Sequence, residues 1–119
     1  MSVVLQHFRV AERVIYKVKA RYRVDRLEEF RERLTDGSIA DQRPDGQEIV
    51  SSMQRAKITQ PGVIEWFETC YCPTPLRHER ETVYDYYLSD IHTEAVEEYG
   101  ELEGRSFWSL LQESGSTRH

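Results

Sequence analysis

The side chains best suited to chemistry crowd the stretch between Trp66 and His92. Cys70, Cys72 and His78, joined by His92, carry thiol and imidazole groups of the kind that bind zinc. Their spacing argues against it. Structural zinc sites part paired cysteines by at least about two residues, whereas Cys70-Tyr71-Cys72 on an extended segment puts both thiols on one face as small packing groups. No metal site is expected. His78, Glu81 and Asp85 follow at spacings of three and four. On a helix they line one side, where a histidine could shuttle protons near neutral pH and a carboxylate could orient it, so these three are the candidate catalytic residues. The competing reading is a solvated helix surface with ion pairs such as Glu81 to Arg77. Trp66, Tyr84 and Tyr87, with Tyr86, Tyr99 and Trp108 nearby, could frame an aromatic pocket for a small organic ligand. Such residues are equally the ordinary substance of a small core.

A third chemistry lies earlier in the chain. Lys17, Lys19, Arg21 and Arg23 alternate along one strand that is expected beside the strand holding Trp66, Phe67 and Tyr71, a surface like that of RNA-recognition domains. The glycine-containing aromatic signature of those domains is missing, and a formal net charge of -5 opposes phosphate binding. The bases are instead expected to meet Glu65, Glu68 or a partner's carboxylates across strands. RNA binding stays the last alternative. No serine sits in a nucleophile elbow, no glycine-rich loop suits a phosphate, and no paired-histidine metal motif occurs, so no cofactor is expected.

The elements that must position these groups show in the periodicity. Val14, Tyr16, Val18, Ala20, Tyr22 and Val24 alternate with Ile15 and basic residues, which predicts a strand over 14–24 with one core face. Asp25 precedes Glu28 as in a capping box, Leu27, Phe30 and Leu34 recur at helical spacing, and Asp36-Gly37 ends that helix. Ser38 to Gln42 reads as a further turn, and the chain reverses at Arg43-Pro44-Asp45-Gly46. Residues 48–59 and 62–72 read as two strands joined at Gln60-Pro61-Gly62. In the second, apolar side chains fall on both alternating sets, as in a central strand covered on both faces. Residues 74–89 mix signals. Thr74-Pro75 has the form of a helix start, and Leu76, Val83, Tyr84, Tyr87 and Leu88 share a helical stripe, so helix is expected there. A strand over 82–96 would instead make a four-stranded meander. Residues 91–99 follow as a fourth strand, and Ser106 to Glu113 as a terminal helix.

The expected fold class is α+β: a ferredoxin-like antiparallel sheet (βαββαβ) with helices on one face and an extra C-terminal helix. At 119 residues the chain suits a single domain, 1–119, with frayed ends about 1–10 and 114–119. Hydrophobic residues at 39% exclude a disordered chain. Two cysteines one residue apart cannot staple distant segments, the N-terminal apolar residues are cut by charges, and no stretch is long enough to span a membrane. A cytoplasmic protein without membrane contact is expected.

Glu65-Trp66 on a strand, followed by Leu76-Arg77-His78 on a helix, resembles the dimeric α+β barrel proteins, among them the antibiotic-biosynthesis monooxygenase family. The resemblance covers about a quarter of the chain. The segment from Cys70 to Pro75 departs from the family pattern, so no catalytic residue is carried over. It implies a homodimer with two sheets face to face and, in each monomer, a pocket between sheet and helices. Such a dimer would also shelter the apolar groups of the central strand. The resulting expectation is a small dimeric protein that binds a small organic ligand or acts as an accessory. The alternative is a cofactor-independent enzyme, monooxygenase-like or isomerase-like. A polar group aimed into an apolar cavity discriminates the two.

Overall fold

The computed structural model describes residues 13–71 and 74–116. Strand β1 (Val14–Tyr22) leads through a short turn of 3-10 helix at Val24–Arg26 into α1 (Leu27–Thr35). Helix α2 (Gly46–Arg55) follows, then β2 (Lys57–Gln60) and β3 (Val63–Cys70). Residues 77–87 form one helical segment, α3, whose middle, Arg80–Tyr84, is a π turn. Strand β4 (Leu88–Val96), a short β5 (Arg105–Ser106) and α4 (Phe107–Ser116) complete the order. The fold is α+β, with all strand pairs antiparallel and the sheet ordered β4-β1-β3-β2-β5. Strand β3 is therefore central, as its two-sided apolar pattern predicts. None of the described helices is long and apolar enough to cross a membrane.

Three expectations are corrected. Residues 48–59 are not one strand: Gly46, Ile49, Ser52 and Met53 are buried at three- and four-residue spacing within α2, and only 57–60 extends. That spacing is a helical stripe, which outweighs the β-branched content of Ile49 and Val50. The third helix begins at Arg77 rather than at Thr74-Pro75, because buried Leu76 takes a left-handed conformation (φ 54°) just before it. The fourth strand runs over Leu88–Val96 rather than 91–99. The expected fray over 1–10 lies outside the described residues.

Side-chain parity divides the sheet. Tyr16, Val18 and Ala20 of β1 and Ile64, Trp66 and Cys70 of β3 join one core with Phe30 of α1, Ile49 and Met53 of α2, Tyr84 and Tyr87 of α3, and Phe107 and Leu111 of α4. Ile15, Lys17, Lys19 and Arg21 face the other way, beside Thr69, Phe67, Glu65 and Val63. There Lys17 pairs with Glu65 at 3.7 Å and Arg21 with Asp90 at 3.5 Å. Glu68, expected to meet those bases, has the opposite parity and is buried in the core. Phe67 is covered by the chain itself, since Tyr99 stacks on its ring at 5.9 Å and Gly100 lies against its tip. The apolar demand for a second copy, argued from the sequence, is met at Phe67 internally. Trp66, of the three aromatic residues beside that face, is fully buried and has the opposite parity.

The turn before α2 packs tightly on the preceding loop. Gly46 donates to Gln42 O at 2.9 Å, and a Cβ there would overlap the Ile39 carbonyl. We expect Gly46→Ala to cost about 2–3 kcal/mol in urea unfolding. A loss under about 0.5 kcal/mol would mean that the turn and α2 are not packed as described.

Candidate functional site

The site forms where the core-facing end of β3 meets α2 and the start of α3. A cavity of about 480 Å³ opens there. Pro44 and Asp45 come from the turn before α2, Glu48 from its first turn, Thr69 and Cys70 from the end of β3, and Glu79 from α3, with Arg13 and Tyr71 at the margin. Glu48 is tied down: its Oε2 accepts from the Thr69 amide at 3.2 Å and lies 3.6 Å from Arg55. Tyr99 joins it by donating to the same oxygen at 3.4 Å.

Behind the cavity wall lies a buried carboxyl pair. Glu68 is fully buried and Glu79 is 2% exposed. Trp66 Nε1–H and the Tyr84 hydroxyl both donate to Glu68 Oε1, each at 2.8 Å. The remaining oxygen, Oε2, has no donor, and neither has Oε1 of Glu79. The two carboxyls stand close enough to act on each other, and a hydrogen bond between them would require a proton on one of them. Burial first, and then the neighbouring Glu79, holds Glu68 well above the usual carboxyl range. Burial also raises Glu79, although its bond to Glu68 opposes the rise. The two donors on Oε1 leave Oε2 as the oxygen of Glu68 on which a proton would sit. Glu79 is the member of the pair on the cavity wall.

Local structure explains the placement. Within the π turn the Asp85 amide reaches back to the Arg80 carbonyl, five residues earlier, and the wider turn lets Glu79, Val83, Tyr84 and Tyr87 all bury. Such widened turns recur at functional sites. The Tyr84 ring lies against Trp66, with centroids 5.3 Å apart.

The residues singled out in the sequence separate. His78 bonds Asp45 through Nδ1 at 2.7 Å, so its orienting carboxylate comes from the turn before α2, not from its own helix. Glu81 pairs with Arg77 at 3.1 Å and Asp85 with Arg80 at 3.4 Å, all substantially exposed. Glu81 and Asp85 line a separate surface depression with those arginines, away from His78. Trp66 and Tyr84 do not line the cavity but hold Glu68. Tyr87 stacks on Phe30 at 4.5 Å and donates to Glu29 at 2.7 Å, far from this wall. Cys72 lies outside the described residues, and among those described no three His, Cys, Asp or Glu side chains come together to hold a metal ion.

Glu68, Glu79, Asp45 and Glu48 were missed. Two had a signal. Glu68 shares strand parity with Ile64 and Trp66, and Glu79 stands within the stripe of Leu76 and Val83, so each is a carboxyl on a core face. No family model, curated protein or solved structure matches this chain.

The shared proton fixes a pH dependence. An unfolded glutamate titrates near 4.5, whereas the native pair keeps a proton above that value. The folded state therefore binds more protons, and stability falls as pH rises from the unfolded pKa toward the raised folded one. Glu68→Gln cannot ionise, and its amide can accept from Trp66 and Tyr84 while donating to Glu79. Urea unfolding should find it at least as stable as the native chain at about pH 8, with the advantage shrinking at about pH 4. Glu68→Ala, which strands two buried donors beside a void, should lose about 2–5 kcal/mol. A Gln variant as damaged as the Ala variant at both pH values would count against the shared proton.

Proposed function

We propose that this is a small-ligand-binding α+β protein whose ligand sits in the cavity between α2, the end of β3 and α3, against Glu79. The observation that carries the reading is a buried carboxyl on the cavity wall, Glu79, backed by a second buried carboxyl, Glu68. Burying two carboxyls opposes folding, because each loses its hydration. A packed apolar pair would serve stability alone, so a polar cavity wall of this kind is accounted for by a bound group that it orients. At about 480 Å³ the cavity falls within the roughly 300–1,000 Å³ common for small-molecule sites.

The neighbouring strands β4-β1-β3-β2 fit a ferredoxin-like sheet, to which α2, β5 and α4 are additions. That reading agrees with the resemblance to dimeric α+β barrels. The homodimer it implies would pair the faces bearing Lys17, Lys19 and Arg21, where ion pairs rather than apolar contacts would form most of the interface.

A second reading is favoured by one further feature. Asp45 orients His78 at the edge of the site, and Glu79 can exchange a proton with Glu68, so a proton acceptor and a proton store stand close together. That arrangement suits a cofactor-independent acid–base enzyme acting on a compound in the same cavity.

Fragment mixtures titrated into isotope-labelled protein test the binding reading. Amide shifts should cluster at Asp45, Glu48, Cys70 and Glu79. Shifts confined to the charged sheet face, or scattered over the surface, would move the site elsewhere. A cavity ligand recovered chemically altered, with the alteration lost in His78→Ala or Glu79→Gln, would establish the enzyme.

A further inference from the structure

We propose that the ligand of this cavity is an organic cation, a protonated amine with a small apolar body, whose ammonium group is received by Glu79. The inference rests on the cavity reading above and narrows it to one chemical class. Three of the ionisable lining groups, Asp45, Glu48 and Glu79, are acidic, against one base at the margin, Arg13. Asp45 and Glu48 already have cationic or potentially cationic partners in His78 and Arg55. The group bonded to Glu79 is another carboxyl, and His78, the cationic group whose charge reaches it, is hydrogen-bonded to Asp45 instead. Glu79 Oε1 is buried without a hydrogen-bond donor, although the residue stands on the cavity wall.

Charge decides among ligand classes. An anion would enter a site lined by Asp45, Glu48 and Glu79, where like charge repels it. A neutral alcohol could give Glu79 a donor but would leave its charge unanswered. An ammonium supplies both, in a charge-assisted hydrogen bond roughly twice as strong as a neutral one. A bare metal ion would need several converging ligands, and no such group occurs among the described residues. Pro44, Cys70 and the Tyr71 ring give the opposite wall an apolar character suited to a short alkyl or aryl body. Tyr71 is 59% exposed, so its ring is available to lie against the ligand.

Matched series separate this proposal from the reading beneath it. Phenethylamine, phenethyl alcohol and phenylacetate share a body and differ in head group, as do butylamine, butanol and butyrate. Each would be titrated to millimolar concentration into labelled full-length protein, following the amides of Asp45, Cys70 and Glu79. The amines should bind at least tenfold more tightly than the alcohols, and the carboxylates should not bind. Glu79→Gln should erase the amine preference while keeping the alcohol's affinity, its fold being checked from the same spectra. Alcohols or carboxylates binding as well as amines would overturn the cation and leave the cavity intact. If fragments find the cavity and no amine does, the cation falls alone; if nothing perturbs these amides, both readings fall.

Discussion

Two carboxyl groups side by side in a dry interior cannot both be ionised, and this constraint organises the centre of the molecule. Glu68 and Glu79 meet between β3 and α3, where Trp66 and Tyr84 supply the donors that Glu68 needs and burial withholds the water that would let it ionise. One proton held between them would give the Glu68 oxygen that otherwise lacks a partner a bond to make. Removing it would leave adjacent negative charges in a low dielectric, a far larger penalty than the loss of one ordinary hydrogen bond. The surrounding aromatic residues are therefore more than packing. Trp66 and Tyr84 fill the core and also fix which oxygen of Glu68 carries the proton.

The rest of the fold places this pair at a cavity rather than deep beneath a continuous layer. Strand β3, flanked by β1 and β2, has the rigidity to hold Glu68 in register. The π turn in α3 brings Glu79 and Tyr84 inward together. The tight turn at Gly46 sets Asp45 against His78, which joins two segments 33 residues apart at the rim of the site. His78 and Glu79, neighbours on α3, thus meet Asp45 of the turn before α2 and Glu68 of β3 around one site.

Much of the architecture was legible in the residues. Strict alternation from Val14 onward identified β1, apolar groups on both parities identified β3 as central, and Leu27, Phe30 and Leu34 marked α1. The misreading at 48–59 had a physical source: Ile49 and Val50 carry strand propensity, but burial at 49, 52 and 53 follows a helical period, and periodicity decides. The site was half legible. Glu68 on the core parity and Glu79 in an apolar stripe were visible in the pattern, whereas their pairing depends on how α3 crosses β3. His78 does meet a carboxylate, but helical spacing points to Glu81 whereas a tertiary contact supplies Asp45. Glu81 and Asp85 satisfied the spacing rule and still went to solvent, each claimed by an arginine on its own helix.

The shared proton is the claim on which the cavity chemistry stands. Carbon-detected titration of the glutamate side-chain carboxyls, with Glu68→Gln used for assignment, observes it directly. One resonance of the pair should remain at its protonated position at about pH 7, well after the surface glutamates have titrated near their usual value of about 4.3. Both carboxyls ionising together by about pH 5 would contradict the account.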